Sequence, residues 1–123
     1  MPKKAKAQLA REHLERAVSA VEGNDATEAV TWLLATLEAA IVAIAEVEGI
    51  ETPTHHWKKA EVARRLHVEG VLAADYADLL DSLNDARKVA VYEGDVPDFG
   101  GTSLEDLLAY VQLAVDRAQE VVE

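Results

Sequence analysis

The chain has 123 residues, of which 50% are hydrophobic, and this predicts a single domain with a core of its own. Cysteine is absent, which excludes disulfides and thiolate metal sites, and aromatic residues make up only 5%, which favours closely packed helices over a sheet sandwich. The net charge is −11, so most of the surface should repel a polyanion. Any contact with phosphate must therefore be local.

The N-terminal sequence, MPKKAKAQLA, is basic but no apolar run follows it, which does not fit a secretory signal. No uninterrupted apolar segment approaches the roughly 20 residues that cross a bilayer. We therefore expect a cytoplasmic protein that makes no membrane contact.

The first two predicted helices form a hairpin. The first runs from about Lys4 to Glu22, and Gly23 ends it. Asn24 and Asp25 supply a turn and a cap for the second helix, which runs from about Ala26 to Glu48. The second helix is apolar nearly all round, so it is buried on several sides. Either it is the central helix of a bundle or part of its surface meets another subunit.

The next two predicted helices follow a short connection. Thr52 is a favourable cap for a third helix from about Pro53 to Val68, and Gly70 breaks it. The fourth helix starts between Leu72 and Asp75 and runs to about Tyr92. Apolar residues form one stripe along it: Leu79, Leu83, Ala86 and Ala90.

A Gly-rich and Pro-containing loop over residues 94–103 precedes the fifth helix, which opens with a capping box formed by Thr102 and Glu105. Its apolar stripe comprises Leu104, Leu108, Val111, Val115, Ala118 and Val122. No strand signal is found. The sequence therefore predicts an all-α fold, an up-and-down bundle of five helices in one domain that spans residues 1–123.

Several segments of the last four helices are similar to those of the HEPN superfamily of small α-helical bundles. The fourth helix carries the most specific of them, an L-N-D-x-R-x4-Y pattern close to its end. The matching segments are Ala39–Ala45 with Gly49, His55–Trp57, Leu83–Arg87 and Tyr92–Gly94. The resemblance covers nearly the whole chain as a pattern of helices.

This resemblance implies a bundle that pairs as a homodimer. Many HEPN members are ribonucleases, often toxins with a nucleotidyltransferase antitoxin as partner, and their R-x(4–6)-H motif meets its symmetry mate at the dimer interface. Arg87 matches the arginine of this motif. The histidine is replaced by Tyr92, and Lys88 follows the arginine where active members commonly have a small polar residue.

The absence of the histidine affects the expected ribonuclease activity. RNA cleavage of this type needs a group that transfers a proton near neutral pH, which histidine does with a reference pKa of about 6.5 and tyrosine, at about 10, does poorly. We therefore expect a binding or regulatory protein in nucleic-acid or nucleotide handling, without efficient ribonuclease activity. The catalytic residues, if there are any, are unknown, and the candidates are Arg87, Tyr92 and His56.

Two alternatives stay open. One is an active, metal-independent ribonuclease of the toxin type that uses Arg87 with Tyr92 or a distant histidine. The other is a non-enzymatic interaction module in which Arg87 is structural. The resemblance suggests a homodimer and a nucleotidyltransferase-like partner protein. The basic and aromatic residues of the chain suggest, in addition, a local contact with RNA or a nucleotide.

Two groups of residues are candidates for ligand binding. Asn84 and Arg87 are three residues apart on the polar edge of the fourth helix. The other group is the basic and aromatic part of the third helix, where Trp57 either stacks on a base or packs in the core. It comprises Trp57, Lys58, Lys59, Arg64 and Arg65. No metal or cofactor site is expected, because the adjacent His55 and His56 point in different directions and no Gly-rich phosphate loop is present.

Overall fold

The computed structural model describes residues 2–51, 56–93 and 102–122. Every regular element within these ranges is a helix, which confirms the predicted all-α bundle of five helices. The elements are α1 (Pro2–Glu22), α2 (Ala26–Val47), α3 (His56–Val68), α4 (Ala77–Lys88) with a π-helix at its end (Val89–Glu93), and α5 (Leu104–Val122). The predicted start of α3 at Pro53 and most of the predicted 94–103 loop lie outside the described residues.

Helix α2 is the centre of the bundle. It packs against each of the other four helices, and no residue from Ala29 to Val47 is exposed. The one polar residue of the described core, Thr36, is fully buried, and its hydroxyl donates a 2.6 Å hydrogen bond to the backbone oxygen of Trp32. The first of the two predictions for this helix, a central position, is therefore confirmed.

The length and composition of α2 also match those of a membrane span. It has 22 residues, and its most apolar 18-residue window has a mean hydropathy of 1.8, so one helix of the described chain is long and apolar enough to cross a bilayer. No segment of this kind was expected from the sequence. Just over half, 56%, of its most apolar window is buried inside the bundle. A central core helix requires this same composition.

Capping residues start α2 and end α2 and α3 near the positions that the sequence predicts. The Asp25 side chain accepts a 3.1 Å hydrogen bond from the backbone N–H of Glu28, which caps the start of α2. Gly49 and Gly70 follow α2 and α3 with φ angles of +72° and +79°. This left-handed conformation costs glycine little, so both helices stop there.

The start of α4 corrects the sequence prediction. The helix begins at Ala77, after the predicted range of Leu72 to Asp75. The backbone oxygen of Val71 accepts a 2.8 Å hydrogen bond from Nε of Arg117 on α5, and Leu72 packs into the core. The Asp75 carboxylate then accepts a 3.0 Å hydrogen bond from the backbone N–H of Ala77. Contacts with a distant helix thus hold this connection out of helical geometry.

Two further helix ends differ in detail from the prediction. The regular α-helix of α4 ends at Lys88, and the residues up to Glu93 continue as a π-helix. At α5 the cap is Ser103 and not Thr102, because Ser103 Oγ accepts a 3.1 Å hydrogen bond from the backbone N–H of Asp106. The predicted capping box is therefore one residue early.

Tyr76 joins the α3–α4 connection to α5. Its hydroxyl donates a 2.9 Å hydrogen bond to the backbone oxygen of Tyr110, and the two rings lie 4.7 Å apart. Burial, and to a lesser extent Tyr110, raises the pKa of Tyr76 to about 12. The phenol therefore remains a donor across the physiological range.

Trp32 joins α1 to α2. Its indole N–H donates a 3.0 Å hydrogen bond to Glu28, and the guanidinium of Arg16 lies 4.6 Å from the centre of its ring. The ring of His13 lies 5.3 Å away, and its Nδ1 atom is buried without a hydrogen-bond partner among the described residues. His13 is thus held mainly by packing.

We expect the substitution Leu37→Ala to lower the free energy of unfolding by about 2–5 kcal/mol, because this α2 side chain is fully buried. The matched control is Leu113→Ala, since Leu113 is 62% exposed and its loss should change stability by no more than about 0.5 kcal/mol. Urea denaturation measures both. Equal effects would contradict the central position of α2.

We also expect His13 to make stability depend on pH. Burial first, and then the charge of Arg16, lowers the pKa of His13 below its ordinary value of 6.5, against an opposing effect of Glu12. As the pH falls below 6.5, the unfolded chain takes up a proton before the folded chain does, so the free energy of unfolding should decrease until the folded imidazole is also protonated.

Denaturation curves of the wild type and of His13→Gln across pH 5 to 8 measure this effect. The decrease below pH 6.5 should be smaller in the variant. Curves that remain parallel over the whole range would show that His13 is not responsible.

Candidate functional site

The candidate site is the polar edge near the end of α4, formed by Asn84, Arg87 and Lys88. Residues three and four apart on a helix are surface neighbours, so Asn84 lies beside both cations. Asn84 and Arg87 are half-buried, whereas Lys88 is exposed. The buried stripe of the same helix, which includes Leu83 and Ala86, fixes this edge against the core.

Arg87 and Lys88 have no carboxylate within 4.0 Å among the described side chains, although the chain has 23 acidic and only 12 basic residues. Other cations of the described bundle do pair with carboxylates. They are Arg11, Lys59, Arg64, Arg65 and Arg117. Lys6 and Arg16 also lack a carboxylate partner among the described side chains, and Arg16 lies over the ring of Trp32 instead. Arg87 and Lys88 differ from these two in being adjacent to each other in the sequence.

Asn84 carries a second unsatisfied group. Its Oδ1 atom is buried and has no hydrogen-bond partner among the described residues. A buried acceptor without a donor costs about 1–3 kcal/mol. A loss of stability of this kind is expected where a side chain contributes to ligand binding and not to the stability of the fold.

Tyr92 extends the edge beyond Lys88. It lies in the π-helix, and its side chain is 73% exposed. A π-helix closes its turn with hydrogen bonds between residues five apart, so it is wider than an α-helix, and such turns occur frequently at functional sites. No hydrogen bond or cation–π contact joins Arg87 to Tyr92 among the described residues. The side chain of His56, the third catalytic candidate, lies outside them.

The cations of α3 whose side chains the structure describes are paired with carboxylates. Lys59 Nζ lies 3.5 Å from Glu38 on α2, and both side chains are largely buried. Arg65 Nε lies 3.2 Å from Glu69, one turn away on the same helix. A phosphate at either cation would have to displace a carboxylate. The side chains of Trp57 and Lys58 lie outside the described residues.

Arg64 bridges α3 to the start of α4. Its Nε and Nη2 atoms lie 3.2 Å from Asp75 and 3.3 Å from Asp78, respectively. The hydrogen bond from the backbone N–H of Ala77, followed by the bond from Arg64, holds the pKa of Asp75 below its usual value, although partial burial opposes this. Arg64 therefore stabilises the α3–α4 connection, and both of its acid partners compete with any ligand.

Sequence reasoning placed Asn84, Arg87 and Tyr92 together but did not include Lys88 among the binding residues. The signal was present, because Lys88 is four residues after Asn84 and four before Tyr92. The ion pairs of Arg64 could not be predicted from helical spacing. Asp75 and Asp78 follow the connection between α3 and α4, and the shape of this connection depends on its contact with α5.

Comparisons of the chain with protein-family models, with curated proteins and with solved structures find no match. The assignment of a function therefore rests on the side chains of the site and on the resemblance given above.

We expect Asn84→Leu to raise the free energy of unfolding by about 1 kcal/mol, because leucine has nearly the same shape and removes the buried acceptor that lacks a donor. Asn84→Ala is the control, because it also removes the buried acceptor but leaves the space of the side chain unfilled, so it should stabilise less than Asn84→Leu. Thermal or urea denaturation measures both. A loss of stability in Asn84→Leu would show that the amide has a partner in solution.

Proposed function

We propose that this chain is a HEPN-like binding or regulatory protein in a nucleic-acid or nucleotide-handling system, that its Arg87 edge contacts phosphate, and that it lacks efficient ribonuclease activity. One observation carries the proposal. Arg87 is half-buried and has no acid partner among the described residues of a strongly acidic chain.

The chemistry of arginine favours a phosphate at this position. The guanidinium presents a planar fork of donors that matches two phosphate oxygens at once. Partial burial of Arg87 lowers the local dielectric constant, which strengthens the attraction of an anion compared with that of a fully hydrated cation. Lys88 beside it adds a second charge. Because the whole chain carries a net charge of −11, the contact is confined to this edge and should involve few phosphates.

The proposed lack of ribonuclease chemistry is supported by where the described histidines lie. His13 packs on Trp32 of α2, and Nδ1 of His67 lies 3.0 Å from the backbone oxygen of Leu72. Both histidines are therefore engaged by packing or hydrogen bonding with residues that do not belong to the Arg87 edge. Five residues after Arg87, where the family motif has its histidine, this chain has Tyr92.

The proposal extends to partners on the resemblance alone. A homodimer through the long helices and a nucleotidyltransferase-like partner protein are what a HEPN-like bundle implies. A cytoplasmic location belongs to the same proposal.

We expect Arg87→Gln to weaken binding of a fluorescently labelled single-stranded RNA by roughly tenfold to a hundredfold, because a hydrogen-bonded charge contact contributes about 1.5–3 kcal/mol. The matched control is Arg65→Gln, which removes an exposed arginine that is paired with Glu69 and should leave affinity within about twofold. Fluorescence anisotropy at constant salt measures both, and urea denaturation of each variant tests whether it is folded.

Two results would contradict this proposal. RNA cleavage by the wild type that disappears in Arg87→Gln but persists in Arg65→Gln would establish an active ribonuclease. A variant Arg87→Gln with reduced stability or dimerisation and unchanged RNA affinity would establish an interaction module with a structural arginine.

A further inference from the structure

Tyr92 differs from the other aromatic side chains that the structure describes. Trp32 is covered by Arg16 and hydrogen-bonded to Glu28, and Tyr76 and Tyr110 pack against each other. Tyr92 is 73% exposed and makes no hydrogen bond or ring contact with a described residue. Its ring thus offers a large flat apolar face to water at a fixed place in a helix.

Two cations precede this ring in the chain. Lys88 is the last residue of the regular α-helix, and Tyr92 follows it by four residues in the π-helix. Lys88 is exposed and has no carboxylate within 4.0 Å among the described side chains. Arg87, also without an acid partner there, precedes Lys88. At the end of α4, two cations without a described acid partner are therefore followed by an exposed aromatic ring.

We propose that Tyr92 is the specificity-determining residue of this site, a stacking platform that selects a phosphate carrying a nucleobase over a phosphate without one. The inference rests on the proposed function of the Arg87 edge and adds the class of ligand. Arg87 and Lys88 attract the phosphate, and the ring of Tyr92 contacts the face of the base. A mononucleotide and a single-stranded nucleic acid share this chemistry.

The physical basis is that every base has a π face, so stacking on an aromatic side chain tolerates any sequence. Tyrosine suits the role because its ring is apolar while its hydroxyl remains hydrated. Stacking on Tyr92 requires no proton transfer, so this site can bind without the histidine of the family motif. The site should therefore select phosphates that carry a nucleobase, without a preference for any base sequence.

The test compares a polyanion that carries bases with a polyanion that carries none. One is a labelled single-stranded RNA of mixed sequence, and the other is inorganic polyphosphate used as a competitor. Tyr92→Leu should weaken RNA binding roughly 5- to 150-fold and leave competition by polyphosphate unchanged. Tyr92→Trp should restore RNA binding, because it restores an aromatic face. Titration with a mononucleotide shows whether the site binds a free nucleotide or only a single-stranded nucleic acid.

Three outcomes would overturn this inference while the proposed function stands. They are an equal loss of both probes in Tyr92→Leu, no loss of either, or dissociation of a dimer in Tyr92→Leu with RNA binding unchanged, which would assign the ring to a protein interface. If the wild type binds neither RNA nor polyphosphate, the proposed function of the Arg87 edge itself fails.

Discussion

Burial of α2 by the other four helices is the constraint on which this structure depends. A helix covered on several sides must be apolar nearly all round, and its neighbours must approach closely, which explains the many small residues of the core. Thr36 is tolerated there because its hydroxyl bonds back to its own helix. Polar chemistry is thereby confined to the outer edges of the surrounding helices. The candidate site lies on such an edge of α4.

The distribution of charge follows from the same arrangement. The surplus of acidic residues supplies partners for most of the described cations, and some of these pairs join different helices, as Lys59 and Glu38 do. Exposed pairs, such as that of Arg65 with Glu69, contribute little stability each, so their main effect is to neutralise surface cations. Arg87 and Lys88 are two adjacent cations that no described carboxylate neutralises.

The features that the sequence predicted are those that depend on neighbouring residues. Asp25 and Gly49 identify the ends of α2 because capping and left-handed geometry are local properties. The start of α4 was not predictable, since it depends on a hydrogen bond from Arg117, 46 residues beyond Val71. The polar edge of α4 was visible from helical spacing. The ion pairs that join different helices, such as Lys59 with Glu38, were not visible, because they form only when the helices pack.

The central position of α2 has a consequence for how the chain folds during synthesis. The ribosome produces α1 and α2 first, and three of the four helices that cover α2 come later in the sequence. Until they are made, α1 alone covers a helix whose most apolar window has a mean hydropathy of 1.8. Transiently exposed apolar surface of this kind is prone to association with other chains. The order of the helices therefore leaves part of the apolar surface of α2 uncovered until α3, α4 and α5 follow.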